Sequence, residues 1–228
     1  KDIQTTRGTR RSPGTRASWL GQSGGGYPPD PTGAAGPNHY LQAVNATPFT
    51  VYSKTGTSLF TGSVGTLFGS TNNDGDPIVM YDKYADRWFI SQFGSEADKK
   101  VYIAISTSNN PTGTYYTYTF VSTNFPDYLK FSIWQNGYYM TSNQGGVIYA
   151  FERDKMLLGN PASRAISATF TTGPTSAFFC PLPADADGIL PPSGSTLPFF
   201  SYSDNAWGAG AIDGVNIWNM TVNWVPAT

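Results

Sequence analysis

Apolar side chains fall at every second position in short runs, and Gly, Pro, Asn and Asp divide one run from the next. Tyr40-Leu41-Gln42-Ala43-Val44, Trp88-Phe89-Ile90-Ser91-Gln92-Phe93 and Val101-Tyr102-Ile103-Ala104-Ile105 show the pattern. A period of two turns one face of the backbone to a core and the other outward, so these runs predict β-strands. Only Tyr149 to Leu158 concentrates helix formers, and Gly159-Asn160-Pro161 stops it at once. The expectation is an all-β chain with at most one short helix.

The strands recur as a unit: an Asp near a Pro or Gly, a hairpin, then a further aromatic strand. Four copies begin near Asp30, Asp76, Asp127 and Asp187, which are 46, 51 and 60 residues apart. Repeats of roughly 40 to 50 residues made of short strands have the spacing of β-propeller blades, each a four-stranded sheet. The pattern thus predicts a basic Gly/Ser/Thr-rich segment over 1–26 and one propeller-like domain over 27–228, with about four blades, complete or part of a larger propeller. Lys54-Thr55-Gly56 and Asn136-Gly137 read as tight hairpin links, and Ser108 to Tyr115 as an exposed corner.

Several motifs between Pro28 and Val225 carry a resemblance. They are Asp30-Pro31-Thr32-Gly33 with Gly36-Pro37-Asn38-His39-Tyr40, Asn73-Asp74-Gly75-Asp76-Pro77, Asp86-Arg87-Trp88, and Phe151-Glu152-Arg153-Asp154-Lys155-Met156. Together they resemble the N-terminal part of a group of secreted bacterial β-propeller-like proteins, whose architecture is similar to that of sialidases and arabinanases. Ser108 to Tyr115 is similar to the Asp-box of sialidases, although Asn110 replaces its Asp and one extra residue precedes the Gly. The resemblance implies a propeller fold, secretion and further repeats, and no particular activity.

Composition narrows the classes. With 13% charged and 15% aromatic residues the chain lacks the Glu and Lys of helical bundles, and its large rings can fill a core. No apolar run approaches the ~18 residues of a membrane span. Net charge is −1, yet Lys1, Arg7, Arg10, Arg11 and Arg16 against Asp2 put +4 on the first 16 residues. That basic head has no aromatic residue before Trp19, so nucleic-acid binding is not expected. Cys180 stands alone, which excludes an intrachain disulfide and predicts an inert buried thiol, and a lone His39 completes no Cys-His or metal set. Residues 1–30 hold no apolar leader and the chain starts at Lys1, the pattern of a processed product. Abundant Thr, Ser, Asn, Gly and Tyr beside few Lys and Glu predicts an extracellular surface, and Asn45-Ala46-Thr47 and Asn219-Met220-Thr221 are glycosylation sequons.

The repeat supplies the candidate chemistry. First strands of propeller blades line a central channel, so Asp30, Asp76, Asp127 and Asp187 are expected to converge at one mouth. Such carboxylates repel one another unless neutralised, which makes Asp30, Asp74, Asp76, Asp127 and Asp187 candidate Ca²⁺ ligands, with Asn72 and Asn73 as further donors. Asp before Pro or Gly is also ordinary turn chemistry. Asp30-Pro31 and Asp76-Pro77 look similar to the strand starts of arabinanase-type glycosidases, which implies acid and base roles for Asp30, Asp76 and Asp127, with Glu152 as a substitute acid. That chemistry needs two carboxyl groups roughly 5 to 9.5 Å apart. Tyr115, Tyr116 and Trp207 are the candidate sugar-stacking rings, whereas Trp88, Trp134 and Trp218 sit in strand patterns that predict packing between blades.

No Gly-x-Ser-x-Gly elbow and no phosphate-binding loop is present. The reading that follows is a secreted module binding glycan or another cell-surface component. Its alternatives are a glycan-cleaving hydrolase using the mouth carboxylates, and a structural subunit that self-assembles through open strand edges.

Overall fold

The computed structural model describes residues 17–71, 73–143, 146–170, 180–203 and 212–225. The basic segment 1–16, Asn72 and Trp207 lie outside them. The described residues form an all-β chain of antiparallel meanders. The first sheet holds β1 (Thr32–Ala35), β2 (His39–Ala43), β3 (Phe49–Ser53) and β4 (Ser58–Gly62), in that order. A one-turn helix α1 (Val64–Leu67) leads to the second sheet, β5 (Ile78–Asp82), β6 (Arg87–Phe93), β7 (Lys100–Ser106) and β8 (Tyr115–Val121). The third holds β9 (Lys130–Ile133), β10 (Tyr138–Thr141), β11 (Val147–Phe151) and β12 (Ala165–Thr169), with helix α2 (Arg153–Leu157) before its last strand. In the fourth, β13 (Leu182–Pro183), β14 (Leu197–Ser203) and β15 (Gly214–Met220) are described.

Two of the expected turns close hairpins. Gly56 takes φ +90° between β3 and β4, a conformation that costs a glycine little, and the Trp134 N–H donates to the Gly137 carbonyl between β9 and β10. The expected helix is shorter than its composition suggests. Tyr149 and Phe151 belong to β11, where their rings stack on one face, and the helix starts only at Arg153.

Alternation along the strands feeds three successive apolar layers. Trp88 and Ile90 of β6 meet Leu41, Phe49 and Val51 of the first sheet. Phe89 and Phe93 of the same strand point the other way, with Ile103 and Ile105 of β7, toward Tyr138 and Met140 of β10 and Phe151 of β11. Tyr139, Ile148 and Ala150 then face Leu197 and Phe199 of β14. Each large apolar side chain buried in these layers contributes about 1.5–3 kcal/mol, so the layers hold the sheets in sequence.

The first strands lie side by side, β1 against β5, β5 against β9 and β9 against β13. The Val79 N–H donates to Thr32 Oγ1 (3.2 Å), and Asp185 accepts the Ile133 N–H (2.7 Å) across two of these joints. Among the described residues the packing runs from the first sheet to the fourth and does not return, so no closed ring is formed. No described helix is long and apolar enough to cross a membrane.

Candidate functional site

The chain enters each of the first three sheets through one kind of bend. Asp30 (φ +34°) and Asp76 (φ +40°) stand two residues ahead of Thr32 and Ile78, where β1 and β5 begin. Asp is among the few side chains that tolerate this region. In the third sheet the residue two ahead of Lys130 is Tyr128 (φ +60°), not Asp127. Hydrogen bonds give the same alignment: Asn45 N–H donates to the Pro29 carbonyl (2.9 Å) and Asn143 N–H to the Asp127 carbonyl (3.0 Å). Asp127 is therefore one position earlier in its repeat than Asp30 and Asp76, a shift that matching Asp to Asp conceals.

Asparagines that follow the second strands fasten these bends. Asn45 Nδ2 donates to Asp30 Oδ2 (3.0 Å) and to the Pro28 carbonyl (3.1 Å), and its Oδ1 accepts the Asp76 N–H (3.2 Å). One side chain thus ties the first bend to the second. Asn143 Nδ2 donates to Asp127 Oδ2 (2.9 Å) in the third repeat.

Between the bends lies a cavity of about 350 Å³ lined by Asp30, Thr32, Asp76, Tyr128 and Lys130 among others. Burial pushes the Asp76 carboxyl up, and the negative charges of Asp30 and Asp127 push it further, against the Tyr128 N–H and Lys130. Burial lowers the Lys130 ammonium, while Cys180, Asp76, Asp127 and Asp30 hold it up. Its Nζ sits 3.2 Å from the centroid of the Tyr128 ring and donates to the Leu129 carbonyl (3.2 Å). Cys180 is half-buried nearby: burial raises its thiol, and its Sγ lies 3.0 Å from Thr141 Oγ1. An unreactive thiol is what that setting makes.

Asp30, Asp76 and Asp127 therefore come together, joined by Lys130 and Tyr128. Asp187 does not join them. The register Leu182↔Phe200 and Pro183↔Phe199 makes β13 precede Asp185-Ala186-Asp187, so this acidic run follows its strand instead of leading it. Asp187 pairs with Lys83 Nζ (2.7 Å) just past the end of β5 opposite to the one that Asp76 precedes. Asp74 is also separate, beside Phe68, Gln92 and Tyr102 and raised by burial and by Asp98. With these two elsewhere the calcium ring is not assembled. Among the described residues no group of three His, Cys, Asp or Glu side chains could hold a metal ion.

Glu152 is no substitute acid. Arg164 and Lys155 hold its carboxyl down at about 2, so it is ionised wherever an acid would be needed. Tyr115 and Tyr116 are half-buried packing residues rather than surface rings. The Tyr115 hydroxyl donates to the Pro111 carbonyl (2.7 Å), and its ring packs on the first apolar layer. The Tyr116 ring lies close against Gly159, where even a Cβ would collide. Trp88, Trp134 and Trp218 pack between sheets as their strand positions predicted.

Sequence reasoning missed Tyr128, Lys130 and Asn45 as site residues. A lysine where the other repeats open their first strand with Thr32 and Ile78 was the available signal. No protein-family model, curated protein or solved structure matches the chain, so the functional reading rests on this geometry.

Proposed function

We propose that the stacked sheets are blades of a β-propeller and that the chain is a secreted module binding a glycan of the cell surface or its surroundings at the mouth of its first strands. The consecutive meanders and adjacent first strands support the propeller reading. The observation that carries the binding reading is the meeting of Asp30, Asp76, Tyr128 and Lys130 around one cavity of about 350 Å³. Carboxylates accept hydrogen bonds from sugar hydroxyls, the ammonium donates to ring and hydroxyl oxygens, and a tyrosine ring stacks on a sugar face. The volume falls at the small end of the roughly 300–1,000 Å³ of ligand sites.

A hydrolase reading is favoured by one specific feature, the raised carboxyl of Asp76 beside two further carboxylates. A general acid facing an ionised partner has that arrangement. One experiment serves both readings: incubation with a panel of soluble and insoluble polysaccharides, scoring bound protein and newly released reducing ends. Retention without release, reduced at least tenfold by Asp30→Asn with Asp76→Asn and by Tyr128→Ala, is the expected result. Release that stops with Asp76→Asn would make the chain a hydrolase. Absence of retention across the panel, or retention indifferent to these variants, would end the glycan reading.

A further inference from the structure

Composition sets residues 1–26 apart from the rest of the chain, yet their described end lies on the first sheet. Leu41 and Val51 turn toward the second sheet, so Tyr40 and Gln42 of β2 and Tyr52 of β3 turn away from it. Trp19 covers them, half-buried, with its ring centroid 6.1 Å from that of Tyr40 and 6.0 Å from that of Tyr52. Gln22 follows. Its N–H donates to Gln42 Oε1 (2.9 Å), and its Nε2 donates to Thr47 Oγ1 (3.0 Å) and to the Pro48 carbonyl. Gly24 and Gly26 then pass so close to Val44 and to the Asn45 carbonyl that a Cβ at either would collide.

This path leads into the mouth. The Pro28 carbonyl accepts from Asn45 Nδ2 (3.1 Å), the Pro29 carbonyl accepts from the Asn45 N–H (2.9 Å), and Asp30 makes the first bend. Asn45 Oδ1 also holds the Asp76 N–H (3.2 Å), so the segment lies against the residue that joins both bends. Its own hold is light. Residues 19–26 belong to no strand, Leu20 is 95% exposed, and Trp19 and Gln22 supply the anchorage. Segments with few buried apolar contacts open far below global unfolding. The first sheet keeps its layer when this one lifts, because Leu41, Phe49 and Val51 are buried against the second sheet.

We propose that residues 19 to 26 are a displaceable latch that controls the entrance of the cavity. Docked, they hold the turn at residues 28–30 against Asn45. Released, they free Asp30 to swing away from Asp76, and the entrance widens. By reciprocity, whatever fills the mouth and fixes Asp30 strengthens the docking of Trp19. That regulatory sense rests on the binding reading above, while the coupling between Trp19 and the mouth does not.

Amide hydrogen exchange of the ligand-free chain tests the coupling. Trp19→Ala should speed exchange at the Asn45 and Asp76 N–H groups at least tenfold, with β6 and β7 unchanged. Trp19→Phe, which keeps a ring over Tyr40 and Tyr52, should restore most of the protection, and Gln22→Ala should give the same pattern more weakly. Faster exchange confined to residues 17 to 26 overturns the proposal, since the segment is then a surface covering with no hold on the mouth. A rise spread evenly over all four sheets also overturns it, because Trp19 then supports the whole fold. No ligand enters the measurement, so a chain that retains no polysaccharide ends the binding reading and still leaves exchange to decide the latch.

Discussion

Strand β5 has an aspartate at each of its approaches, and the two meet opposite conditions. At its end, Asp82 is fully buried and accepts five hydrogen bonds: Arg153 Nε (2.7 Å) and Nη2 (3.0 Å), the Tyr138 hydroxyl (2.9 Å), and the N–H groups of Tyr84 (3.1 Å) and Ala85 (3.2 Å). Just before its start, Asp76 is half-buried, faces Asp30 and Asp127, and has its carboxyl raised. The first cluster has its demands met by Tyr138 and Arg153 of the third sheet and by the turn that follows β5, and serves as a joint. The second keeps repulsion that the Tyr128 N–H and Lys130 relieve only in part, beside a cavity where a ligand's hydroxyls can supply what the protein does not. Satisfied charge marks architecture in this molecule, and frustrated charge marks the candidate site.

The largest expected effect tests the joint. Arg153→Met leaves Asp82 buried without its partner, and removing one member of such a pair costs about 3–5 kcal/mol. Urea denaturation should show that loss, and Asp82→Asn added to Arg153→Met should restore part of it. A loss under about 1 kcal/mol would mean that water reaches Asp82 and that the joint is no tighter than the mouth.

A middle-sized effect belongs to Asn45, the side chain that ties two mouth bends together. Asn45→Ala removes hydrogen bonds to Asp30, to the Pro28 carbonyl and from the Asp76 N–H, for a loss of about 1–2 kcal/mol. Glycan retention should weaken with it, because Asp30 and Asp76 lose their common anchor. If stability drops while retention is unchanged, the spacing of the bends does not govern binding, and the contrast between joint and mouth loses its functional half.

Most of the layering was legible before the structure, and the reason lies in the period of two. Trp88 and Phe89 are adjacent in sequence and serve opposite layers, as alternation requires, and Asn136-Gly137 marks its hairpin through chemistry that few other dipeptides share. The mouth was half legible. Asp30 and Asp76 stand out because each precedes Pro at a strand start, but spacing alone does not tell which residue takes a positive φ, so Asp127 stood in for Tyr128. The acidic run at Asp185 to Asp187 imitated a strand start in composition, while the strand it accompanies had already passed. Tyr115 and Tyr116 looked exposed because Gly113 and Thr114 precede them. Burial of Tyr116 depends on α2 and Gly159 and that of Tyr115 on the layer shared with the first sheet, distant contacts that no local pattern records.

The smallest expected effect is a pH dependence that separates Asp76 from a satisfied carboxylate. For Glu152, the hydrogen bond and charge of Arg164, then Lys155, lower the folded value from 4.5 to about 2. A lowered folded value adds stability above pH 4.5 that is lost as pH falls toward about 2. Asp76 has the reverse sign: burial, then Asp30 and Asp127, raise it above 3.8, so its contribution is full in acid below 3.8 and lost as pH rises through the raised value. At pH 7, Glu152→Gln should therefore be less stable than the parent, by about 1 kcal/mol after solvent screening, and the gap should shrink in acid. Asp76→Asn should be more stable at pH 7, by about 0.5 kcal/mol or less, with the advantage gone near pH 3. Thermal melts at both pH values would read the two signs side by side. An Asp76→Asn variant less stable than the parent at pH 7 would mean that the protein already satisfies this carboxylate, and the two approaches of β5 would then be joints of one kind.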